Sequence, residues 1–285
     1  MLALTLGAAA MIKDIIVNIS IHERSEPTLY YAVSLASAFE AHVTGIAFAY
    51  DSPIPISALG YIRAQIIDEQ SNNQAAAKAV IDKFKAATAR TGVSADQRML
   101  SANMDNAGER FARIARLFDL AIVSQATPNK GAVEAMISES TLFGSGRPVL
   151  VVPYIQKAPL KLDRVMVCWD GSWPAARAVA DAMPFLEQAK QVEVVIVTNE
   201  RGKNNELEGV DMGQHLARHR VNVEVHRIPR ADIDVADALL SYATDSGADF
   251  MVMGGYGHSR MREFVLGGVT RSIFHLTAVP TLMSH

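Results

Sequence analysis

The order of segments in this chain runs twice. Asp14-Ile15-Ile16-Val17 opens the first half as Asp163-Arg164-Val165-Met166-Val167 opens the second, each an apolar stretch of strand length followed by a helix-length amphipathic segment. Further on, Asp119-Leu120-Ala121-Ile122-Val123 answers to Asp249-Phe250-Met251-Val252-Met253, and Arg147-Pro148-Val149-Leu150-Val151-Val152 to Val279-Pro280-Thr281-Leu282-Met283. Each copy is long enough to close its own core, so the 285 residues predict two homologous domains, 11–153 and 160–285. The connector, 153–163, holds Lys157, Pro159 and Lys161, which suits a short extended link that leaves the domains little freedom.

Within each copy, strands alternate with helices, a pattern that yields a parallel sheet covered on both faces, the doubly wound α/β class. In the first half the strands are predicted at 15–19, 41–47, 96–100, 120–124 and 149–152. A helix over 28–39 carries Leu29, Ala32, Val33, Leu35 and Ala36, and another over 74–91 ends before Gly92. Pro53 and Pro55 make 51–60 a loop. In the second half, strands are predicted at 165–169, 192–197 and 250–253. A helix starts near Trp173 and Pro174 with Ser172 as its cap. An amphipathic segment over 269–276 places Ile273 and Leu276 on one face.

The stretch from Gly254 to Thr270 is the most distinctive chemically. An apolar strand ends at Gly254, Gly257 follows, and Gly267 and Gly268 open the next helix. Glycine admits positive φ and the close approach of a bulky anion to backbone amides, and a helix start attracts phosphate oxygens. The same glycines also serve a plain tight turn and helix break, and both readings stand on this stretch alone. The chain has no Gly-Lys-Ser/Thr, so this is not an ordinary P-loop. Asp170-Gly171-Ser172 follows the first strand of the same half. In a doubly wound sheet that loop and the one after the fourth strand share a crevice, so Asp170 comes to lie across from Gly254. Asp170 as a simple turn former is the alternative.

The spacing Gly-x2-Gly-x9-Gly, together with Val-x-x-Asp-Gly-Ser, resembles the nucleotide signature of the universal stress protein family, in its tandem two-domain form. The resemblance implies a Rossmann-like, adenine nucleotide alpha hydrolase-like fold in each half, and ATP with Mg2+ in the second. It assigns the triphosphate to the glycines Gly254, Gly257 and Gly267, with Gly268 and Thr270 at the hydroxyl position, the adenosine to Asp170, and the adenine flanks to Val197 and Met253, and it counts Val269 among the nucleotide-binding residues. The family has Ser or Thr where Gly268 stands, and Thr270 is the nearest hydroxyl. The resemblance also implies that the last strands of the two halves pair as an intramolecular pseudo-dimer, and it allows a further homodimer. In the first half, Ser20 replaces Asp170, Ile21 and His22 replace Gly171 and Ser172, and the paired glycines are missing. One half is expected to bind and the other to support it. The expected role is a regulatory or protective stress function with at most slow hydrolysis. A nucleotide-independent protein acting through partners, and an enzyme acting on another adenine nucleotide, remain open beside it.

Composition narrows the partners. Lys and Arg total 27 against 30 Asp and Glu, which gives no basic surplus for nucleic acid or anionic lipid. The single Cys168 lies in an apolar run, read as a buried thiol in a reducing compartment, and the cytoplasm is the expected location. Residues 1–10 are apolar but short and lack a basic start, so either Met1 or Met11 serves as the beginning and no membrane segment is expected. His215 and His219 share a helix face without a third ligand, and a solvated face is the better reading. His258, Arg260 and Arg262 lie in the glycine loop as charges suited to a triphosphate or simply to water. No Gly-x-Ser-x-Gly or Cys-x-x-Cys is present, which leaves hydrolase and redox chemistry without dedicated residues.

Overall fold

The computed structural model describes residues 12–21, 26–51, 61–127, 131–198, 206–229, 233–255 and 268–285. The loop predicted over 51–60 lies, apart from Asp51, outside them, as do residues 1–11. Ten strands form one sheet: β1 (Asp14–Asn18), β2 (His42–Tyr50), β3 (Ala95–Ala102), β4 (Leu120–Ser124), β5 (Val149–Val152), β6 (Arg164–Cys168), β7 (Gln191–Thr198), β8 (Val223–Pro229), β9 (Phe250–Gly254) and β10 (Thr281–Ser284). Their order is β3-β2-β1-β4-β5-β10-β9-β6-β7-β8. Each half therefore repeats one topology, its first strand lying between its second and its fourth.

Every pair is parallel except β5 with β10, which run antiparallel with Leu150 opposite Leu282. An apolar strand at a sheet edge is an open template for aggregation, and pairing β5 with β10 removes two such edges at once. Strand residues alternate between the faces. Ile15, Val17, Val165 and Val167 enter one core layer, and Ile16, Met166 and Cys168 enter the other.

The first layer is covered by α1 (Glu26–Phe39), α2 (Tyr61–Thr91), α5 (Trp173–Leu186) and α6 (Glu206–Arg218). The second is covered by α3 (Met104–Ala115), α4 (Ala132–Gly144), α7 (Val235–Asp245) and α8 (Gly268–Leu276). The two halves share both layers. Phe39 of α1 meets Phe185 of α5 edge-on at 5.0 Å, and Phe185 stacks on Phe250 at 4.9 Å. Among the described residues, no helix is long and apolar enough to cross a membrane.

Several expectations need correction. The helix predicted over 74–91 begins at Tyr61: Ala77, Val80, Ile81, Phe84 and Ala87 anchor its second part, and residues 61–73, a mixture of apolar and polar helix-compatible side chains, continue it upstream. It ends as expected, with Gly92 in the left-handed region at φ +69°. Leu276 does not share a buried face with Ile273; it is 60% exposed, and Thr270, Ile273 and Phe274 carry the packing of α8. β2 runs to Tyr50, beyond the predicted 41–47, because its whole length pairs with β3.

The aspartates that helped reveal the duplication perform the same task in both halves. Asp119 Oδ2 accepts the backbone N–H groups of Lys13 and Asp14, at 2.9 and 3.0 Å. Asp249 accepts those of Asp163 and Arg164 at 3.0 and 3.3 Å. Each carboxylate thus fixes where the central strand of its half begins.

Candidate functional site

β6 and β9 lie side by side, yet the chain leaves them toward opposite faces, β6 into α5 and β9 toward α8. Beyond their carboxyl ends, neighbouring connections diverge and leave a crevice, the usual ligand position in such sheets. At β6 the Trp169 N–H closes on Val195 O at 2.9 Å and the chain turns through Gly171 at φ +74°. The Ser172 N–H donates to Asp170 Oδ1 at 3.0 Å, and Ser172 Oγ caps α5 by accepting the Ala175 N–H at 3.3 Å. Asp170 is thus a turn former and also an exposed carboxylate just beyond the end of β6.

The apolar candidates come together on the face covered by α7 and α8. Val197 and Val269 are half-buried and Met253 is buried, all packed in the layer that holds Cys168 and Ile273. Thr270 is buried in the first turn of α8. Gly268 opens that helix and is exposed, and no described atom lies within 4 Å of where a Cβ would stand. Gly257 and Gly267 lie outside the described residues, as do His258, Arg260 and Arg262.

Gly254 has a structural requirement of its own. A Cβ there would stand 2.5 Å from Ala175 N and 2.6 Å from Pro174 C, so only glycine lets the end of β9 pass the start of α5.

The aromatic group beside it carries no sequence signal. The His285 ring lies between Phe143, at 5.0 Å, and Trp173, at 5.1 Å, with its Nδ1 3.1 Å from Gly255 O. Gly255 N–H donates to Ser284 O at 2.8 Å, and Leu142 of α4 presses on the same glycine. The start of the glycine loop is therefore gripped by the last residues of the chain and by the first half. No local pattern marks Phe143 or His285, because the contact exists only once β5 and β10 have paired.

Burial pushes the Cys168 thiol up to about 12, and Asp170 adds to the effect, so the thiol stays protonated and unreactive at neutral pH. His215 and His219 are exposed, with rings 4.9 Å apart, and among the described residues no cluster of three His, Cys, Asp or Glu is placed to hold a metal.

A crevice between diverging parallel strands, in a chain built of two like halves, defines a tandem doubly wound α/β protein. Within that class, residues 161–285 match the model of the universal stress protein family. A curated universal stress protein of Synechocystis sp. is 37% identical over 46 residues, a stretch that spans only 16% of either chain. A universal stress protein structure from Archaeoglobus fulgidus DSM 4304 aligns over 94% of this chain and 97% of its own, with a TM-score of 0.71 at 17% identity. A putative one from Pseudomonas aeruginosa UCBPP-PA14 aligns over 96% and 93%, with a TM-score of 0.60 at 13% identity. At such identities the likeness is one of fold, and it extends across both halves.

Proposed function

We propose that the second half binds ATP, with Mg2+, in the crevice between β6 and β9, and that the chain acts as a nucleotide-responsive regulatory or protective protein. The observation that supports this is the chain path: Asp170 follows β6, Gly254 ends the adjacent β9 and Gly268 opens α8, while Val197, Met253 and Val269 pack in one core layer. The open space at Gly268 suits an anion approaching the first amides of α8, where the helix dipole favours negative charge. Asp170 then holds the sugar and base end, and Val197 and Met253 flank the adenine.

Mg2+ would be held chiefly by phosphate oxygens and water, as is usual for this ion with nucleotides. The groups assigned here are amides, aliphatic side chains and one carboxylate, which suits binding and sensing rather than turnover. The domains 11–153 and 160–285 act in this reading as a pseudo-dimer joined at β5 and β10, with the second half as the binding unit. The cytoplasm, where nucleotide is abundant and Cys168 stays reduced, is the location that fits it.

Denaturing the purified protein and identifying the released small molecules by chromatography tests this. ATP or ADP near one equivalent per chain supports the reading. An empty protein whose Tm does not move with MgATP points instead to a nucleotide-independent role through partners.

A further inference from the structure

The first half repeats the strand order of the second, so it has the equivalent crevice between the carboxyl ends of β1 and β4. That crevice is filled from within. Ser20, just beyond β1, is 5% exposed, and its hydroxyl donates to Glu134 Oε1 at 2.5 Å. Glu134 stands in the first turn of α4 and is itself only 7% exposed. Its second oxygen, Oε2, is sealed from solvent and accepts no hydrogen bond among the described residues.

Tyr50, at the end of β2, is buried near the same carboxylate. It is 3% exposed, and its phenol is pushed up by burial and by the Glu134 carboxylate nearby. Its ring lies 6.3 Å from that of Phe48, which packs in the same layer as Val197 of the second half.

A buried carboxylate with an unsatisfied oxygen is costly, and packing alone gives no reason to keep it. A glutamate in the first turn commonly folds back on its own helix start. This one reaches across the crevice to a residue 114 positions away. Gly131, at the N-cap of α4, offers no side-chain oxygen to the helix start, and Glu134 is the acidic residue of the first turn there, where negative charge is favoured.

We propose that Glu134 is a resident anion. Its carboxylate occupies, in the first half, the oxyanion position of a doubly wound crevice, with Tyr50 buried near it. The first half is therefore a complete anion site closed by its own chain, and it opens to small oxyanions such as phosphate or acetate when the carboxylate is removed. This stands on the first half alone and is independent of nucleotide binding in the second.

Thermal unfolding of the full-length Glu134→Ala variant in rising sodium phosphate, sodium acetate and matched sodium chloride tests the proposal. Acetate matches the group that the substitution deletes. The variant is expected to lose stability and to regain several degrees of Tm, saturably, in phosphate or acetate but not in chloride. The wild-type response, which includes anything the second crevice binds, is subtracted. Glu134→Gln, which keeps the volume but not the charge, is expected to melt below wild type without rescue. Should Glu134→Ala not be purifiable, Glu134→Ser is measured in the same way. Phosphate and acetate curves that parallel chloride in a folded variant overturn the proposal, as does a Gln variant as stable as wild type.

Discussion

Leu150 and Leu282 stand directly opposite each other at the centre of the antiparallel β5–β10 pair, both fully buried. The two halves thus share one sheet and both core layers across this seam. Leu282→Ala is expected to cost about 2–5 kcal/mol, the usual range for such a cavity in a core. Because the seam belongs to both halves, urea denaturation of the variant should still show one transition, shifted to lower denaturant.

Gln125 ties the halves together a second time. Its Nε2 donates to Thr277 O at 2.8 Å and its Oε1 accepts the Tyr154 N–H at 3.3 Å, and the side chain is 3% exposed. Gln125→Leu leaves both backbone groups without their partner and should cost about 1–3 kcal/mol. Chemical denaturation measures the loss.

Gly254 and Gly268 separate packing from ligand contact. Gly254→Ala drives a methyl into the backbone of Pro174 and Ala175, and calorimetry should show a loss of about 1–3 kcal/mol. Gly268→Ser meets no described atom and supplies the hydroxyl that the family pattern has at this position. It should leave Tm unchanged or raised and tighten MgATP binding by about tenfold, the equivalent of about 1.4 kcal/mol.

Stability should fall in alkali. Burial raises the phenols of Tyr31, Tyr50 and Tyr242 above their ordinary value of 10.0, and Tyr242, which also donates to Glu193 Oε2 at 3.1 Å, reaches about 12. A raised folded-state pKa gives stability that is full below the unfolded value and lost as pH rises through the folded one. The decline should therefore begin near pH 10 and continue toward 12. Denaturation at a series of pH values should show it, with a shallower slope in Tyr242→Phe.

The duplication, the five strands of the first half and the capping role of Ser172 could all be read from the sequence through apolar runs, turn residues and a serine before Trp-Pro, whereas β8 carries no such apolar run. The extent of α2 could not be read, since residues 61–73 mix apolar and polar side chains without a clear helical period. The exposure of Leu276 was hidden because a short helix leaves open which flank of its apolar stripe faces the sheet. The partnership of Ser20 with Glu134, and the grip of Phe143 and His285 on Gly255, join residues remote in sequence, and neither pair carries a motif. Reading the first half as bereft of site residues explained what it lacks but not what takes their place.

Isothermal titration of the full-length chain with MgATP, beside an Asp170→Ala variant of matched circular dichroism, tests the central claim most directly. The account predicts one site per wild-type chain and binding weakened by at least about tenfold in the variant, with the fold intact. No heat at millimolar MgATP, two sites per chain, or a variant that binds as tightly as wild type would contradict it.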